Sequence, residues 1–222
     1  MNAEPQVINL GFVNAFLLPA GDGYVLIDTG MDPQWEQLES QLLKSGCLPD
    51  KLKLVVITHG DMDHTGNCAK LQKKYHAKIA MHPGDRAMAE TGARLVRKTR
   101  SFKVKIFMSL HRLTRGKTTF ETFTPDLMLA DGQDLKEYGL AARILHTPGH
   151  TPGSIAVLTE QGWLFPGDTL SNNNNKLDIG PFIQDDRELR DSLAKLKGLN
   201  ARTVYPGHGK PFPFTALAGI EV

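Results

Sequence analysis

Nine residues, Thr58-His59-Gly60-Asp61-Met62-Asp63-His64-Thr65-Gly66, constrain this chain more than any other stretch. Two histidines and two aspartates fall within six consecutive positions. An apolar run, Leu54 to Ile57, leads in, and a helix-like segment, Asn67 to Tyr75, leads out. A strand that empties into such a loop gathers imidazole and carboxylate groups at one spot. These are the nitrogen and oxygen donors that Zn²⁺ and neighbouring transition metals take. His59 and His64 are too badly spaced to share one helical face, so the loop has to wrap around its site.

The remainder reads as a frame for that loop. The 222 residues, 41% hydrophobic and 23% charged, suit a single domain over residues 1–222 with a sizeable core. Val7 to Leu10, Asn14 to Pro19 and Tyr24 to Asp28 read as strands, the third introduced by Gly21-Asp22-Gly23. Trp35 to Leu43 has helical spacing, with Pro33 near its first turn and Gly46 past its end. Leu54 to Ile57, the helix Asn67 to Tyr75 and a strand at Ile79 to Met81 continue an α/β alternation. Later strands are expected at Leu127 to Leu129, Ala141 to His146, Ser154 to Thr159, Trp163 to Phe165 and Thr203 to Tyr205, with a helix over Asp185 to Leu199. Asn172 to Asn175 reads as a surface loop. Strands followed by helices in both halves imply two sheets with outer helices.

Residues 85–124 depart from this alternation. They carry ten Lys and Arg against Asp85, Glu90 and Glu121, a local +7 in a chain whose net charge is +2. Phe102, Ile106, Leu110 and Leu113 share one helical face, with Phe107 beside them. The expectation is a basic helical insertion, either a lid over the site or an amphipathic helix docked on the core.

Three later features repeat one form, a strand and then a glycine-rich turn bearing a ligand type. His150 lies between two Pro-Gly turns in Thr147 to Gly153, Asp168 follows Pro166-Gly167, and His208 follows Pro206-Gly207. With His59, Asp61, Asp63 and His64 they make seven nitrogen or oxygen donors at strand ends, a number that suits two divalent metals. Asp28, which ends a strand before Thr29-Gly30, is either a turn aspartate or part of the same site.

Thr58 to Gly66, Thr147 to Gly153, Gly167-Asp168, Pro206 to Gly209 and Leu26-Ile27-Asp28-Thr29-Gly30 together resemble the metallo-β-lactamase superfamily. The resemblance implies an α+β fold, a four-layer αββα sandwich of two mixed β-sheets with a dinuclear site at one edge. Carried over by position, it gives His59 and His150 to the first metal and Asp63, His64 and His208 to the second. Asp168 bridges both, and Asp28 lies behind the ligands and orients them. The superfamily's common form is HxHxDH. Here Asp61 stands where the second histidine is expected, as a carboxylate does in the iron-binding flavodiiron relatives. Three carboxylates and one hydroxide would formally neutralise two divalent ions, which weakens them as Lewis acids. A harder oxygen donor also moves preference toward Fe or Mn, although Zn remains the first expectation. Asp61 is either a ligand or turned away from a weakened first site.

Of the other histidines, His76 and His111 are expected on the surface, His82 in a turn, and His146 either buried or behind the ligands rather than a ligand itself. The implied chemistry is metal-assisted hydrolysis, in which a hydroxide shared by the metals attacks an ester, thioester, lactone or amide carbonyl and Asp63 serves the leaving group. No GxSxG motif supplies a side-chain nucleophile. An iron-dependent oxidoreductase of the persulfide dioxygenase kind, a nuclease and a non-catalytic metal-binding module are the alternatives. A net charge of only +2 argues against nucleic acid, and no apolar run reaches membrane-spanning length. The polar start, Met1 to Gln6, carries no signal-peptide pattern, and Cys47 and Cys68 do not form a CxxC, so a cytoplasmic protein with reduced thiols is expected. The expected partner is a small-molecule substrate whose binding residues the sequence does not point to, and a homodimer is allowed.

Overall fold

A computed structural model describes residues 4–95, 97–99 and 121–220. The first half runs β1 (Gln6–Asn9), β2 (Asn14–Ala20), β3 (Gly23–Ile27), α1 (Trp35–Lys44), β4 (Leu52–Val56), α2 (Met62–Thr65), α3 (Cys68–Tyr75), β5 (Lys78–Met81), α4 (Arg86–Thr91), β6 (Lys98–Thr99) and β7 (Leu127–Met128). The second half runs β8 (Ala142–His146), β9 (Ile155–Thr159), β10 (Trp163–Phe165), β11 (Leu170–Asn173), β12 (Lys176–Ile179), β13 (Phe182–Ile183), α5 (Asp186–Lys197), β14 (Thr203–Val204), β15 (His208–Gly209) and β16 (Phe212–Pro213).

Two mixed sheets form the centre. One has the order β1-β2-β3-β4-β5-β7, antiparallel as far as β3 and parallel from there to β7. The other has the order β16-β14-β10-β9-β8, with β10 and β14 parallel and the other pairs antiparallel. Strand alternation divides the apolar residues among three cores. In β2, Ala15 and Leu17 face α1 and α3, among Leu38, Leu42, Leu71 and Tyr75, whereas Phe16 and Leu18 face the second sheet. In β9, Ile155 and Val157 face the first sheet, whereas Ala156 and Leu158 face Leu189, Leu193 and Leu196 of α5. Both faces of each sheet are therefore apolar, and the layers run helix, sheet, sheet, helix. Among the described residues no helix is long and apolar enough to cross a membrane. Cys47 and Cys68 are buried free thiols.

The structure corrects two expectations, at Asn172 to Asn175 and at His146. Among the described residues of 85–124, Arg86–Thr91 is a helix and Lys98–Thr99 a strand paired antiparallel with Phe182–Ile183. Phe102, Ile106, Phe107, Leu110, Leu113 and His111 lie outside the described residues. Asn172 to Asn175 is not a loop. It is the end of β11 and a two-residue turn into β12, with Asn174 and Asn175 at φ 55° and 60°. Positive φ at both central residues gives the hairpin turn that asparagine tolerates, and the sequence signal was hidden in a run of four identical residues. His146 is not buried. It stacks on His82 at 3.9 Å and bonds the Pro152 carbonyl.

Phe16 joins the sheets through Phe165 and Tyr205, at ring-centroid distances of 5.1 and 5.9 Å. Phe16→Ala should cost about 3–5 kcal/mol in urea unfolding, because the facing sheets cannot close over the void.

Candidate metal centre

Every strand that delivers a candidate ligand ends at the same edge. β3 leads to Asp28, β4 runs into Thr58 to His64, the β8–β9 turn carries His150, β10 runs into Asp168, and β14 leads to His208. Parallel pairing of β3 with β4, Ile27 opposite Val56, sets Asp28 beside Thr58. Two glycines make the crowding tolerable. Gly149 has φ 126°, and a side chain there would meet the Leu189 backbone of α5 at 2.4 Å. A side chain at Gly207 would meet Asp168 at 2.7 Å and His64 at 2.8 Å.

The structure brings all seven predicted ligands together. Asp61 Oδ2 lies 3.4 Å from His59 Nε2 and 3.2 Å from His150 Nε2. Asp63 Oδ2 lies 3.4 Å from His208 Nε2 and 3.9 Å from His64 Nε2. Asp168 sits between the two groups, Oδ1 3.3 Å from His64 Nε2 and Oδ2 3.2 Å from His208, 3.8 Å from His150 and 4.0 Å from His59. Donors about 2.0–2.1 Å from one tetrahedral ion lie about 3.3 Å from each other, so these separations suit metal ligands.

The hydrogen bonds decide which ring nitrogens face inward. Thr58 donates its hydroxyl to Asp28 Oδ2 at 2.8 Å, so the hydroxyl oxygen accepts from His59 Nδ1 at 3.0 Å. His64 Nδ1 donates to Asp28 Oδ2 at 2.8 Å. His150 Nδ1 donates to the Phe182 carbonyl at 2.7 Å and His208 Nδ1 to the Phe12 carbonyl at 2.6 Å. All four Nδ1 atoms are thus committed outward, and all four Nε2 atoms meet the three carboxylates. Among the buried atoms left without a hydrogen-bond partner are His59 Nε2, His64 Nε2 and Asp168 Oδ1. Acceptors packed against acceptors in a buried space call for a cation, and the donor set fits one.

Two residues were missed by the sequence reading. Asp85, counted only as a charge on the insertion, is fully buried. It accepts from the Gly60 amide at 2.8 Å, the Thr151 hydroxyl at 2.6 Å and the Gly153 amide at 2.8 Å, clamping the His59 loop to the His150 loop. Its signal was legible: Met81-His82-Pro83-Gly84-Asp85 repeats the strand, Pro-Gly and aspartate form of Phe165 to Asp168. Arg97, counted only among the ten Lys and Arg of residues 85–124, reaches Asp61 Oδ1 at 2.5 Å and His150 Nε2 at 2.8 Å. No local pattern announced it, because only the pairing of β6 with β13 brings it there.

The model for the metallo-beta-lactamase superfamily matches residues 8–208. This chain belongs to the metallo-beta-lactamase superfamily. Among its relatives is an atrochrysone carboxyl ACP thioesterase of Aspergillus fumigatus, 26% identical over 94% of this chain and 54% of the relative. A hydroxyacylglutathione hydrolase of Anaeromyxobacter dehalogenans is 27% identical over 91% of this chain and 64% of the relative. The chain thus spans less than two thirds of the length of these superfamily members. A Cronobacter sakazakii metallo-beta-lactamase with a HARLDQ motif shares the fold at TM-score 0.70 and 21% identity, over 92% of this chain and 75% of that one. A metallo-beta-lactamase family protein of Thermus thermophilus does so at TM-score 0.69 and 24% identity, over 95% of this chain and 74% of that one.

Without an ion the cluster balances its charge with protons. Burial opposes a charge on His208, but Asp168 and then Asp63 outweigh it and raise its pKa to about 10. His64 is raised well above the ordinary value, burial being outweighed by Asp28, Asp168 and Asp63. Asp168 is held well below the usual carboxylate range, its burial outweighed by His208 and His64. A raised imidazole pKa stabilises the fold fully below the unfolded value of about 6.5, and that contribution is lost as pH rises through about 10. Chelator-stripped protein should therefore lose urea stability between about pH 6.5 and about pH 10, and His208→Gln should reduce that slope.

Proposed function

We propose that this chain is a metal-dependent hydrolase of a small-molecule acyl compound, with a thioester as the first substrate class. His59, Asp61 and His150 would hold one divalent ion and Asp63, His64 and His208 a second, with Asp168 shared. The observation that carries this reading is the convergence of four inward Nε2 positions and three carboxylates with every Nδ1 engaged elsewhere. When bound, the ions would supply hydroxide at neutral pH and polarise the acyl carbonyl. The names of the thioesterase and hydroxyacylglutathione hydrolase relatives favour the thioester.

The chain's own residues supply orientation and proton handling. Asp28, through Thr58 and His64, and the Phe182 and Phe12 carbonyls fix the four imidazole rings. Asp63, with 24% of its side chain exposed, is the most open of the seven residues. Burial opposes its charge, but His64 and His208 outweigh that and lower its pKa. Its carboxylate would take up the proton released on attack and return it to the departing thiol.

A second reading, an iron-dependent oxidoreductase, is favoured by one observation, the hard oxygen donor at Asp61. Elemental analysis of protein purified without added metal separates the two. About two zinc ions per chain, with hydrolysis of aryl and glutathione thioesters, supports the hydrolase. His150→Ala should lower kcat/KM by more than about 100-fold and remove one zinc. A single iron per chain with no thioester turnover would establish the second reading instead.

A further inference from the structure

Asp61 divides its carboxylate between two histidines and an arginine. Oδ2 faces His59 and His150 at 3.4 and 3.2 Å, and Oδ1 receives Arg97 Nη2 at 2.5 Å. Arg97 Nη1 donates to His150 Nε2 at 2.8 Å, the atom this histidine presents inward. The guanidinium is nearly enclosed, with 12% of the side chain exposed, and lies over the Phe182 ring at 5.5 Å. Its position is fixed by the fold. It immediately precedes β6, which pairs with β13, and β13 also supplies the Phe182 carbonyl that holds His150. An arginine keeps its charge at any working pH, so a permanent cation is built against the carboxylate that replaces an imidazole.

We propose that Arg97 is the counter-charge of Asp61, so that the two act as one near-neutral donor where the superfamily's common form has histidine. This deepens the hydrolase reading and rests on it. The three carboxylates and a hydroxide would neutralise two divalent ions, and Arg97 returns the formal charge to that of a histidine-bearing site. The weaker Lewis acidity expected from Asp61 alone is thereby offset. Arg97 does so at the expense of ion binding, because it repels a cation and contacts two of the three donors, Asp61 and His150, of the first group. Arg97 is in this sense a positioning and charge-setting residue rather than a ligand.

Tighter metal binding with slower turnover is the signature, since a merely structural role would weaken both. Zinc affinity is measured by chelator competition, following the zinc equivalent that His150→Ala abolishes, alongside kcat and KM on an aryl thioester. Arg97→Met should bind that zinc about tenfold more tightly and lose about tenfold or more in kcat, with KM little changed. Arg97→Lys keeps the charge and should stay near wild type in affinity. Asp61→His alone removes the carboxylate that Arg97 contacts and should bind zinc more weakly than Asp61→His combined with Arg97→Met. The double variant should recover kcat to within a few-fold of wild type, about the size of ordinary non-additivity. If Arg97→Met does not fold, Arg97→Gln provides the same comparison.

Unchanged or weaker zinc binding in the Arg97 variant, or a double variant no faster than Arg97→Met, overturns the proposal while leaving the hydrolase reading intact. Wild-type protein that takes up no zinc overturns both.

Discussion

The candidate site depends on one buried carboxylate, that of Asp28. Its backbone is left-handed, φ 57°, a conformation that costs a non-glycine residue roughly 1–2 kcal/mol. Three hydrogen bonds hold it, from the Thr58 amide, the Thr58 hydroxyl and His64 Nδ1, each 2.8 Å. Bonds to an ionised acceptor contribute about 1.5–3 kcal/mol each, so the strain is outweighed. The same bonds orient His64 directly and His59 through Thr58. They exist because β3 and β4 are parallel neighbours that end together. The sheet thus fixes the ring orientation of two ligands from different turns of one loop. Asp85 plays the matching part between the His59 and His150 loops.

What this shell produces is an excess of inward acceptors. Imidazoles whose outer nitrogens are engaged present lone pairs to the interior, and three carboxylates add negative charge. Protons can relieve the excess in the metal-free protein, which is why His64 and His208 are pushed up while Asp168 is pushed down. A divalent ion held by these residues would relieve it and release those protons, tying metal affinity to pH. Arg97 adds a third source of positive charge, confined to the side where Asp61 stands.

Most of the frame was legible because it obeys simple periods. Alternation in β2 and β9 and the helical spacing of Trp35 to Leu43 reflect residues that face two different cores or one. The predicted ligands were legible because each lies in the segment that follows a strand, so local sequence already places it at the edge. Asp85 has the same form and could have been read. Arg97 could not, since its place comes from the pairing of Lys98–Thr99 with Phe182–Ile183, a strand far away in sequence. His146 misled for the opposite reason: a histidine four residues before His150 looks coupled to it, yet strand alternation and the turn direct it to His82.

The most direct test of this account is the tautomeric state of the four histidines, read from long-range ¹H–¹⁵N spectra of the metal-loaded protein. His59, His64, His150 and His208 should each carry the proton on Nδ1, with Nε2 unprotonated and shifted by the bound ion. Any of the four protonated on Nε2, or exchanging freely between tautomers, would contradict the inward-facing donor shell on which the proposed chemistry rests.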